Sequence, residues 1–194
     1  MHIFAISSLL ILISCSALSV FVFWKGQGKK VANILGVFCL AVALWGLSSF
    51  KFSTSPSKET ALFWIIFAHM WIVYTTILYA HFVFSFLNLN RKKLLIFLYI
   101  LGTVWVIGNF FTEKLHLFTA KFVFNQFYYF DWSAYKSIPY FALYFIFYVL
   151  LLGYSFFLLI KSYKYSIGFQ RQQLKYFILG SAFGWLGTHG MYLL

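Results

Sequence analysis

The sequence predicts an all-α integral membrane protein, a polytopic bundle of six transmembrane helices with its N-terminus outside. Two observations carry this. Of 194 residues, 63% are hydrophobic and only 9% charged, where a soluble domain carries about 25% charged residues. The apolar residues also fall into six continuous runs, at about 2–24, 31–50, 61–87, 94–112, 140–160 and 173–194. Each approaches the roughly 20 residues that a helix needs to cross a core of about 30 Å. Mean hydropathy of +0.87 agrees. An ordinary cytosolic enzyme, a disordered chain and a coiled coil are excluded. Barrel strands fit poorly, because the runs do not alternate.

The first run lacks a charged leader and a small-residue cleavage site before Lys25, so it reads as an uncleaved helix. Orientation follows from the loops. Segments 25–30, 88–93 and 161–175 hold ten cations and no acid; segments 51–60 and 113–139 hold five cations and all three acids, Glu59, Glu113 and Asp131. The cation-rich set is expected to be cytoplasmic. Blocks of this kind also account for the net charge of +12 without the continuous basic surface that nucleic-acid binding needs. Six spans leave Leu194 outside, so a seventh helix is expected to be missing from the chain.

In the loop after the second run, Ser55 and Pro56 suit an N-cap and first helical position. The loop 113–139 is aromatic but broken by polar residues. It is expected to lie on the outer membrane surface or to cover the helices as a lid. In the last run, Gly180, Gly184 and Gly187 form a small-residue face, read as a helix-packing seam with dimerisation as the alternative.

No Asp, Glu, Lys or Arg lies well inside a run, which weighs against proton-coupled transport and voltage sensing. His69 shares a helical face with Thr76 and His81 with Tyr74. Such histidines are expected to be neutral and bonded to a neighbouring helix. A bis-histidine haem on His69 and His189 lacks the second pair that transmembrane electron transfer usually needs. No cofactor and no metal are expected, and Cys15 and Cys39 read as buried small hydrophobes. Trp64, His69, Trp105, Asn109, Tyr140, Tyr144, Trp185 and His189 all fall in the outer halves of their runs. An aromatic cavity with a few polar groups is the form of a small-molecule site, so a ligand site is expected there. No catalytic motif accompanies it, and catalysis is not expected of these residues.

Three stretches carry a family likeness: ALFWIIFAHMWIVYTTILYAHFVFSFL (61–87), FDWSAYKSIPYFALYFIFYVLLLGYSFFLLIKSYK (130–164) and FQRQQLKYFILGSAFGWLGTHGMYLL (169–194). With them the chain resembles the N-terminal 7TM region of bacterial sensor histidine kinases. The resemblance implies seven helices, a plasma-membrane location of bacterial type, and a cytoplasmic signalling domain or partner kinase, with a homodimer as the family's usual assembly. It transfers no ligand. The function expected is therefore a membrane input module that reads a small apolar or membrane-associated stimulus in the outer half of the bundle. A small multi-pass transporter or channel is the alternative, and a lipid- or haem-using enzyme a distant third.

Overall fold

The computed structural model describes residues 2–112, 120–131 and 145–190, without the side chains of 109–112, 145, 148 and 186–190. Helices cover most of these residues. They are α1 (Ile3–Lys25), α2 (Lys30–Ser53), α3 (Lys58–Phe86) and α4 (Lys92–Thr112), then α5 (Leu152–Tyr165) and α6 (Gly168–Gly190). A π-helical segment, Phe145–Leu151, leads straight into α5. By length and composition, α1, α2 and α3 can each cross a membrane. Large apolar side chains stay exposed along the bundle, among them Leu10 at 61% and Val104 at 61%. Water would penalise such a surface, whereas lipid solvates it.

The helices overrun the apolar stretches. The fifth stretch was expected to end near 160, but α5 runs on to Tyr165 and α6 begins at Gly168, ahead of the expected 173. Hydropathy marks where lipid is, whereas backbone hydrogen bonds continue until a cap stops them. Here Ser166 N–H bonds the Ser162 carbonyl at 3.0 Å, and Gly168 takes φ +58°, a conformation that costs glycine little. The start of α3 differs too. Ser57, not Ser55, is the N-cap, and its Oγ accepts the Thr60 N–H at 3.3 Å. Pro56 therefore sits one residue before the cap. The far end of α3 closes in a Schellman motif: Leu89 N–H bonds the Phe84 carbonyl at 2.8 Å, Asn88 N–H bonds that of Ser85 at 3.2 Å, and Asn88 takes φ +55°.

Helix contacts explain where small residues matter. A Cβ on Gly46 of α2 would lie 3.0 Å from Leu12 N and 3.1 Å from the Ser8 carbonyl of α1. Along the same seam Ser19 Oγ donates to the Gly36 carbonyl at 2.9 Å. Close backbone approach and an interhelical hydrogen bond are what holds helices together when lipid removes the hydrophobic drive. The glycine seam expected on the last helix is different. A Cβ on Gly180 meets no described atom within 4 Å. Gly180 borders open space, as does Gly184, and the side of Gly187 lies outside the described residues. A polar seam joins α3 to α4. Tyr99 Oη and His81 Nδ1 are 3.0 Å apart, and Tyr74 Oη lies 3.1 Å from Thr103 Oγ1. His81 thus bonds a neighbouring helix, as expected.

The all-α expectation needs one correction. Within 113–139, residues Ala120–Val123 (β1) and Phe127–Phe130 (β2) form an antiparallel hairpin, pairing Ala120 with Phe130 and Val123 with Phe127. Phe124 and Asn125 both take positive φ, and Gln126 N–H bonds the Val123 carbonyl at 3.1 Å. Three residues, Phe124, Asn125 and Gln126, thus join the paired Val123 and Phe127. Ala120 and Phe130 are buried against Ala61, Ile65 and Ala68 of α3. The hairpin thus caps one end of the bundle, here called the hairpin end. Lys25, Lys30 and Lys92 mark the opposite, basic end.

Candidate ligand cavity

Hollows of two sizes lie between the helices among the described residues, and their sizes separate their roles. At the hairpin end, His69, Phe4, Phe52, Tyr129 and Phe130 enclose about 30 Å³, room for one or two waters. His69 is 9% exposed. Its Nδ1–H donates to the Ile65 carbonyl at 2.8 Å, within α3, and its ring lies 4.7 Å from that of Phe130. Tyr129 of the hairpin lines the same pocket, and burial pushes its phenol up to about 12.

The second hollow is a cavity of about 450 Å³, within the range of small-molecule sites. Its walls come from four helices. α1 supplies Ile11, Cys15 and Leu18; α2 supplies Phe38, Cys39, Val42 and Trp45; α3 supplies Ile72, Thr75 and Tyr79. α6 supplies Tyr176, Phe177, Gly180, Ser181, Gly184 and Trp185. These positions straddle the middle of each helix. α6 meets α3 through rings: Tyr79 stacks 6.0 Å from Phe177 and stands edge-on 5.6 Å from Trp185. Bulky rings hold the two helices apart, and glycines on α6 leave the gap unfilled.

The site residues expected from the sequence divide between these places. Trp185 lines the large cavity, as do Gly180 and Gly184. His69 belongs to the small pocket. Trp64 packs in the hairpin-end cluster, and Trp105 touches both that cluster and the main core. Asn109 and His189 lie in α4 and α6, but their side chains are outside the described residues, as are Tyr140 and Tyr144 entirely. The cavity therefore sits at mid-helix, deeper than the expected outer half. Sequence reading passed over Cys15, Cys39, Thr75, Tyr79 and Ser181. Their shared signal is depth: each lies near the middle of its own apolar run.

Hydrogen bonding grades the polar groups of the wall. Thr75 is committed, donating to the Trp71 carbonyl at 2.6 Å. Tyr79 is 2% exposed, and its Oη is buried without a hydrogen-bond partner. Ser181 faces it from α6 but does not reach hydrogen-bonding geometry. Among the described residues no charged side chain lines the cavity. Among the described residues no three His, Cys, Asp or Glu side chains cluster to hold a metal.

The family model described as the N-terminal 7TM region of histidine kinase matches residues 8–194, essentially the whole chain. No curated protein and no solved structure matches it.

Proposed function

The chain belongs to the family of N-terminal 7TM regions of histidine kinases, and from that premise we propose how this membrane sensory module works. The family is the input part of a sensor kinase and not its catalytic part. The stimulus enters the mid-helix cavity, changes how α6 rests on α3, and so alters a cytoplasmic kinase or other output domain at the basic end. The single observation behind this reading is the cavity of about 450 Å³ whose fourth wall, α6, meets α3 through the rings of Phe177 and Trp185. A helix held by side chains rather than by close backbone contact can shift at small cost.

The reading includes a bacterial-type plasma membrane, the basic end in the cytoplasm, and a dimer as the working unit. Those three rest on the loop charges and on the family's usual assembly. His69, Trp64 and Trp105 then act at the hairpin end as supports for the cap, and Trp185 at the ligand. The test joins the chain through an added apolar helix of about 20 residues to a reporter kinase domain. Gly180→Leu, which fills the cavity from its open side, should lock autophosphorylation at one level. Output in that variant that still responds to the same additions as the unmutated chain would count against the reading. Solute movement by the purified chain in liposomes would favour the transporter alternative instead.

A further inference from the structure

The wall of the cavity is specific enough to name a ligand class. Its described residues are all uncharged, so an ionic ligand would meet no counter-charge among them, a costly burial. It carries six aromatic side chains, Phe38, Trp45, Tyr79, Tyr176, Phe177 and Trp185, which suit a flat ring. It also carries Tyr79 Oη, buried without a hydrogen-bond partner, with the hydroxyl of Ser181 close by on the facing helix α6. A buried donor left unmade is costly, and one acceptor oxygen placed between α3 and α6 would engage both after a small rotation of the phenol.

The occupant is also bounded by size and depth. A helix about 10 Å across and 30 Å long fills roughly 2,400 Å³, far more than the 450 Å³ present. A glycerolipid brings its ester oxygens only as deep as the headgroup boundary, and would leave Tyr79 Oη unmet at mid-helix.

We infer that the cavity binds an uncharged, ring-bearing lipophile with a carbonyl oxygen, a lipid-soluble quinone, whose oxygen joins Tyr79 on α3 to Ser181 on α6. The inference rests on the sensory reading above for its purpose, but its test is binding alone, so either can fail without the other.

The probe is decylubiquinone, added to the purified chain in phospholipid nanodiscs, with decane as the ringless control. Two readouts are followed: quenching of tryptophan fluorescence, and alkylation of Cys15 and Cys39 by an apolar maleimide. The expected result is saturable quenching with protection of both thiols by the quinone and not by decane. Tyr79→Phe with Ser181→Ala should weaken it about tenfold, and Gly180→Leu should abolish it. Gly180→Ala, a smaller step into the same open space, should leave the fold intact and weaken binding less. Equal protection by decane would reduce the cavity to an apolar filler site and overturn the inference. So would quenching that never saturates, or an affinity unchanged in the double variant.

Discussion

His2 Nε2–H donates to the Ser53 carbonyl at 3.0 Å while its Nδ1 accepts the Ala5 N–H at 3.2 Å. One imidazole thus caps the start of α1 and ties it to the last turn of α2. The same ring stacks on Phe127 of β2, centroids 4.5 Å apart. Two helix ends and the hairpin meet on this side chain, and the two hydrogen bonds fix its tautomer. Replacing it removes a cap, worth about 0.5–2 kcal/mol, together with the stack. His2→Ala is expected to lower the thermal midpoint in detergent micelles, and His2→Asn to restore part of it. An unchanged midpoint in His2→Ala would show that the ring is not a fastening.

The glycines of α2 and α6 should respond oppositely to added bulk. Gly46→Leu pushes a side chain onto the α1 backbone, and overpacking of this kind costs about 1–3 kcal/mol. Gly180→Ala meets open space and gains helix propensity of up to about 1 kcal/mol. Chemical denaturation of the two variants in the same detergent should therefore move in opposite directions.

Between α3 and α4, Tyr99→Phe deletes the partner of His81. Interhelical hydrogen bonds in membranes average about 0.6 kcal/mol, so the loss should be small but measurable. His81→Phe combined with Tyr99→Phe should cost no more than either alone, because both remove one bond. A double-variant cycle with no coupling would mean the bond contributes nothing.

The hairpin should release at high pH. Burial raises the Tyr129 phenol from its usual 10 to about 12, so the docked state holds the proton more tightly than the free one. Its contribution is complete below pH 10 and lost as pH climbs towards 12. Tyrosinate absorbance should show a late-ionising group that disappears in Tyr129→Phe. If wild type and variant titrate alike, the hairpin is not docked as described.

Much of the helical frame is legible in the apolar runs, since lipid forces continuous hydrophobicity on any spanning helix. The ends were less legible, because Lys161 and Lys164 lie within α5 but beyond its apolar stretch. The hairpin was missed for a different reason. Phe-Val and Phe-Tyr-Tyr-Phe flanking Asn125 and Gln126 form a strand–turn–strand signal, but a composition already rich in aromatics masks it. Of the residues singled out in the sequence, Trp185, Gly180 and Gly184 line the large cavity and His69 lines the small pocket; His69 stood out because histidine is rare in lipid. The hydroxyls of Tyr79 and Ser181 looked ordinary, and only the three-dimensional pairing of α3 with α6 brings them together.

The most direct measurement follows the α1–α6 separation in nanodiscs by electron spin resonance, using one spin label on Cys15 and another on Gly184→Cys, with Cys39→Ser. Decylubiquinone should shift that distance distribution, and Gly180→Leu should hold it at one value with or without the quinone. A distribution that is the same in both proteins, with and without quinone, would contradict a cavity whose occupancy moves α6.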